Sequence, residues 1–403
     1  MSALTKWSHA RRGLICVLTI GYLSINNPVC AQTPVINSIS NYNQAINAIE
    51  TDQGSYASSL SDLYLGLGRA LVDQENFEKA KRAFEQGMHV IRINKGPMSI
   101  SQSPYLLSLA DTESFLGNWK QARSALNNFY RINQQAYGAQ NPRMLPVLDQ
   151  LLDWFMTTYE QRTTVGGYEN LIVAERIAES VKTILLKDTD LEQAPNRYQR
   201  IANLHYMIAD HLRQYGDTSG SGINFSTGGG SNSNDRLTTS NLHFERGKYA
   251  LEQVLESLIK QDKNNIAQQA IAIAQLGDWY LIFNQRQAAK KAYKLASDTL
   301  KTTNSPQASH LELFNRPSII EFTVNNPRKK QNLEPEIEIS FSISSLGRIS
   351  DIQVVNPQDQ ITKKQLNYFK RKLRHTRFRP KLVDGETVTS VHREFFPLSV
   401  LEK

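Results

Sequence analysis

From about Tyr56 to Leu300 the apolar residues recur three and four positions apart, with alanines and aromatics interleaved and prolines sparse. That spacing follows the turn of an amphipathic helix. It predicts helices near 57–73, 77–93, 102–116, 119–135, 143–160, 168–187, 195–215, 239–261, 264–283 and 286–302. Past Asn304 the pattern changes. Pro306 and Pro317 punctuate the chain, and Ile337, Ile339, Phe341 and Ile343 then alternate with Glu338, Ser340 and Ser342. A period of two marks a strand with one buried face. The expected fold class is mostly α, with a small α+β region at the carboxyl end.

The helical pattern also repeats. Leu67-Gly68, Phe77, Ala80, Phe84 and Gly87 stand at the same offsets as Leu276-Gly277, Arg286, Ala289, Tyr293 and Ala296. Gly117-Asn118-Trp119-Lys120-Gln121-Ala122 repeats the turn and helix start of Glu75-Asn76-Phe77-Glu78-Lys79-Ala80. Small residues where two helices cross and large ones between hairpins resemble the tetratricopeptide repeat. The step from Phe77 to Trp119 is about 42 residues against the usual period of about 34, so longer helices or connectors are expected. One hairpin cannot bury its own apolar face, so neighbours stack into a solenoid. Such a rod either binds a peptide or protein or serves as a spacer and dimerisation surface. Residues 216–240, rich in Gly, Ser, Asn and Thr, predict a mobile, disordered loop inserted between two helices.

In the last region, Ser344-Ser345-Leu346-Gly347 supplies a turn with a glycine free to take positive φ, and Ile349 to Val355 the returning strand. Lys363 to Arg374 reads as a helix burying Leu366, Phe369 and Leu373, and Thr387 to Leu398 as a closing strand after the Asp384-Gly385 turn. Strand, strand, helix, strand, together with Gly347-Arg348-Ile349-Ser350-Asp351 and Arg377-Phe378-Arg379-Pro380, resembles the TonB C-terminal domain.

That resemblance implies β-augmentation, in which a peptide from an outer-membrane receptor pairs with an exposed strand edge. The edge it points to is Thr387, Val388, Thr389, Ser390, Val391, His392, Arg393, Glu394, Phe395 and Phe396, which otherwise packs or dimerises. Arg371, Lys372, Arg374, Arg377, Arg379 and Lys381 form a basic patch, either a docking site or cations favoured by the helix dipole. Energy-transducing members of the family keep an inner-membrane helix and a proline-rich segment, where this chain has helical repeats.

Arg11 and Arg12 precede an apolar run from Gly13 to about Ile25, and Val29-Cys30-Ala31 offers small residues before Gln32. This reads as a cleaved secretory signal peptide leading to the periplasm. An uncleaved anchor is the alternative, although about 20 apolar residues are needed to cross a bilayer and Asn26-Asn27-Pro28 interrupts the run. Both cysteines, Cys16 and Cys30, fall in this leader, so a mature chain would hold no disulfide or thiolate chemistry. The formal net charge of +8 fits acidic partners or a well solvated surface.

No catalytic pattern accompanies these elements. Gly-x-Ser-x-Gly and His-Glu-x-x-His are absent, and no Lys-Ser or Lys-Thr follows Gly228-Gly229-Gly230 as a phosphate loop requires. His205 and His211, six apart on one helix, are not spaced as a metal pair, and His375 and His392 lack a carboxylate set. The aromatics follow core periodicity and form no stacking platform for nucleic acid. No cofactor, metal, small-molecule substrate or nucleic acid is therefore expected, and the partners are proteins or peptides. The expected division is a signal peptide (1–31), an N-terminal segment (32–55), helical repeats (56–303), a linker (304–316) and a TonB-like domain (317–403). The functional expectation is a non-enzymatic periplasmic scaffold. If the leader stays attached, it is instead a membrane-anchored TonB-family transducer for outer-membrane transport.

Overall fold

The computed structural model describes residues 33–161, 167–187, 192–216, 233–301, 313–322, 336–356 and 362–397. The expected leader, most of the linker and most of the Gly/Ser-rich loop lie outside them. The chain divides into two compact units at Leu151/Leu152.

The first unit holds α1 (Thr33–Gln53), α2 (Leu60–Asp73), α3 (Phe77–Lys95), α4 (Ser103–Phe115) and α5 (Trp119–Tyr137), and α6 (Leu145–Gln161) begins in it. From α1 to α5 each helix packs on the next. Close packing needs a missing side chain at each crossing. A Cβ on Gly68 would stand 2.3 Å from the Phe84 ring, and one on Gly87 would stand 2.4 Å from the Tyr105 ring. Tyr105 is buried and donates its hydroxyl to the Ser61 carbonyl at 2.5 Å, tying α4 to the start of α2. Lys81 and the buried Glu113 pair at 2.8 Å between α3 and α4. The segment 32–55, expected only as an N-terminal segment ahead of the helical repeats, is almost wholly α1, held to α2 by Tyr64 donating to Glu50 at 2.9 Å.

The second unit completes α6 and adds α7 (Tyr168–Leu185), α8 (Ala194–Tyr215), α9 (Ser233–Gln261), α10 (Ile266–Ile282) and α11 (Arg286–Lys301). Here α7 to α11 pack in succession. The sequence offset between the two repeats reappears as a contact: Gly277 sits against Tyr293 as Gly68 sits against Phe84. The expectation of a polar loop reaching Ser240 is corrected, because α9 is helical from Ser233. Serine, asparagine and threonine are only mildly poor helix formers, and a long helix with a packed end can carry them.

The same unit includes a small α+β module: β1 (Ser318–Ile319), β2 (Glu336–Ile343), β3 (Ile349–Val354), α12 (Lys363–His375), β4 (Phe378–Arg379), β5 (Lys381–Val383), β6 (Glu386–Val388) and β7 (Ser390–Pro397). One antiparallel sheet has the order β3-β2-β7, while β1 pairs with β4 and β5 with β6. Ile337, Ile339, Phe341 and Ile343 point inward at 0–1% exposure, onto Phe369 and Leu373 of α12. Burying each such side chain is worth about 1.5–3 kcal/mol. Thr362 and Gln365 close a capping box at the start of α12. Gly347 turns the β2–β3 hairpin at φ +65°, and a Cβ there would meet the Phe378 carbonyl at 2.0 Å. Opposite Phe341, β3 carries a bulge in which Asp351 takes φ +50°.

Three helix turns use one backbone solution. Glu75, Gly117 and Asn284 take φ of +60°, +77° and +61°, and the next amide in each case donates to a carbonyl five residues back. This is the Schellman closure, in which glycine is strain-free and glutamate is not. Glu75→Gly should therefore stabilise the chain by about 1 kcal/mol, whereas Gly117→Ala should cost a similar amount. Chemical denaturation of both variants tests this, and a destabilised Glu75→Gly refutes it.

Burial first, with Asp62 nearby, pushes the Tyr105 phenol up to about 12. A folded value above the unfolded one, about 10, means stability is intact below that pH and drains away as pH rises toward 12. Alkaline unfolding followed by circular dichroism should start later for Tyr105→Phe, relative to its own stability at neutral pH.

Candidate functional site

The strand expected to run unbroken from Thr387 to Phe396 is two strands. Asp384 and Gly385 both take positive φ, +54° and +83°, which makes a tight two-residue hairpin. Thr387 and Val388 consequently lie in β6, facing Leu382 and Lys381 of β5, and Thr389 falls between β6 and β7. Ser390 to Phe396 continue as β7, which ends the three-stranded sheet and pairs with β2 over eight residues without a register shift. Its two faces differ. His392 and Phe396 point into the core, with the His392 ring 5.6 Å from Phe341, while Val391 is 71% exposed and Arg393 faces outward near Glu338. His392 also meets Glu394 at 3.1 Å.

The six basic residues are not one surface. Arg371 and Arg374 are exposed on α12, Lys381 is half-buried in β5, and the side chain of Lys372 lies outside the described residues. Arg377 is half-buried, and burial together with the Arg348 and Arg213 charges lowers its pKa. Arg379 is removed from the patch altogether. Its Nε and Nη2 donate to Oδ1 and Oδ2 of Asp278 at 3.0 and 2.5 Å, and its guanidinium lies over Phe314 at 5.8 Å. Only 11% of the Arg379 side chain and 7% of the Asp278 side chain reach solvent. Tyr293 donates to the same carboxylate at 2.9 Å. Burial, then the Asp278 charge, holds the Tyr293 phenol well above its ordinary value. The sequence hid this because Asp278 looks like one more solvated helix acid, yet it is the anchor that joins the module to α10 and α11.

In the first unit a groove of about 360 Å³ lies between α1, α2 and α3. Ile39, Tyr64, Leu67, Leu71 and Ala83 make its surface mostly apolar, and Asn43, Gln74, Asn76, Lys79, Arg82 and Gln86 add amide and cationic groups.

The histidines regroup in space. His211 accepts or donates with Tyr159 at 3.0 Å and stacks on Tyr168 at 4.3 Å. His205 instead meets His243 of α9, Nδ1 to Nδ1 at 3.1 Å, with Glu175 Oε1 of α7 at 3.8 Å from His243 Nδ1. Both rings are buried, at 2% and 4% exposure. Burial pushes His205 well below its ordinary pKa and His243 down to about 4, with Arg246 adding to both. Burial raises the Glu175 pKa against the opposing pull of Arg246, which pairs with it. Reading one helix at a time could not find this set, since its three members come from three helices.

No family model and no curated protein matches the chain. Among solved structures it is similar to a Podosopora anserina putative kinesin light chain of nearly identical TPR-like repeats, at 17% identity over 61% of this chain and 99% of that one, with a TM-score of 0.38. It is also similar to BtubC (BKLC) from P. vanneervenii, at 12% identity over 75% of this chain and 98% of that one, TM-score 0.39.

Arg379→Met leaves the Asp278 carboxylate buried without its cation and should cost about 3–5 kcal/mol. Replacing the whole set, Asp278→Leu with Tyr293→Phe and Arg379→Met, should recover most of that loss. Denaturation midpoints of the full chain decide, and equal losses in the single and triple variants refute the pairing.

Proposed function

We propose that the chain is a non-enzymatic scaffold of the cell envelope that holds two protein partners, one in the groove of its helical repeats and one along β7. The observation that carries the reading is the position of β7: it closes one side of its sheet, keeps continuous register with β2, and presents Val391 outward. An added strand at such a position satisfies its backbone donors and acceptors by main-chain pairing. The succession β2, β3, α12 and then, after the short strands β4 to β6, β7 supports a TonB-like module, and the leader residues support export to the periplasm, where an outer-membrane receptor is the fitting partner for β7. The amide and cationic lining between α1 and α3 supports an acidic peptide as the second partner. Among the described residues no helix is long and apolar enough to cross a membrane.

A photo-crosslinking amino acid at Val391, and another at Gln86, should each give discrete protein adducts in intact cells, and the two adducts should differ. Lys79→Glu with Arg82→Glu should abolish only the adduct at Gln86. Absence of adducts at both positions defeats the scaffold reading, and a mature amino terminus other than Gln32 defeats the expected cleavage.

A further inference from the structure

Three consecutive helices of the second unit each direct one metal-ligating side chain to a common point: Glu175 from α7, His205 from α8 and His243 from α9. One donor atom from each lies within 4.8 Å of the others. An ion bound tetrahedrally at about 2.0–2.1 Å holds its ligand atoms about 3.3 Å apart. Two of the three separations, 3.1 Å between the two Nδ1 atoms and 3.8 Å from Glu175 Oε1 to His243 Nδ1, stand on either side of that value, and the third, from Glu175 to His205, is within 4.8 Å. We propose that Glu175, His205 and His243 bind one divalent transition-metal ion of the zinc class, which clamps α7, α8 and α9 together.

The donor set has the right chemistry. Two imidazoles and one carboxylate are a nitrogen-oxygen set that zinc accepts, leaving a fourth position for water. A neutral imidazole has one nitrogen lone pair to give, and Nδ1 facing Nδ1 otherwise allows only one hydrogen bond between the two rings. Access exists beside Glu175, whose side chain is 19% exposed. Arg246, paired with Glu175, is the competitor. Its side chain is 38% exposed, so it can turn to solvent when a dication takes its place.

The test uses the full chain, free of any affinity tag and stripped with a chelator, titrated with Zn²⁺ in a calorimeter and with Co²⁺ in a spectrophotometer. One Zn²⁺ per chain, a rise in the thermal midpoint and the intense visible bands of tetrahedral Co²⁺ are expected. Glu175→Gln, on the most exposed of the three, should keep the fold and weaken Zn²⁺ binding at least about tenfold, since even outer-shell partners cost that much. His243→Gln should abolish the Co²⁺ bands, and Arg246→Gln should leave binding equal or tighter. Absence of stoichiometric binding in the parent chain overturns the site, as does binding unchanged in both Glu175→Gln and His243→Gln, or abolished by Arg246→Gln.

Discussion

A guanidinium and a carboxylate taken out of water lose several kilocalories of hydration each, and only close, well-directed pairing returns it. Asp278 and Arg379 meet that demand with two hydrogen bonds, and Tyr293 completes the coordination of the acid. The pair contributes little net stability compared with an apolar contact of the same size. Its contribution is position, because any shift of the module against α10 strands two charges in a dry place. Phe314 under the guanidinium, Phe322 against Trp279 and the Leu382 amide bonded to the Phe314 carbonyl then pack around a point already determined. The module is thus held as part of the second compact unit.

The helical hairpins obey a simpler constraint. Two helix backbones can approach closely only where one lacks a side chain, and the space is then claimed by a ring from the partner. Gly68 with Phe84 and Gly277 with Tyr293 are the same device, 209 positions apart in the chain if Gly68 is set on Gly277. Tyr293 serves twice, filling the hairpin with its ring and bonding Asp278 with its hydroxyl. The repeat and the module therefore share a side chain, so the last hairpin cannot be exchanged for another without loosening the α+β module docked on it.

Much of this was legible in the sequence, and the gaps have physical causes. Except for the start of α9, six residues early, the helices from α2 to α11 fall within a few residues of their periodic pattern, since burial of one face imposes that period. The helix α1 was legible in part, since Ile36, Ile39, Tyr42, Ile46 and Ile49 recur three and four positions apart in its run, but the Asn and Ser set among them, middling helix formers, obscure that spacing. The break at Thr389 escaped because strand-forming residues continue through it; the two positive φ values at Asp384 and Gly385 decide the pairing. Arg379 and the histidines were misplaced for one reason. Their partners, Asp278, Glu175 and His243, lie on other helices, and no spacing rule within one element can reveal them.

The two rims of the three-stranded sheet are unequal. On β3 the ladder is interrupted by the extra residue at Asp351, while β7 runs straight beside β2. A sheet with two regular rims can stack end over end into fibrils, each copy templating the next. A strand whose ladder is broken by a bulge is a poorer template for another chain than one in unbroken register, so the kink at Asp351 makes the β3 rim the less adhesive of the two.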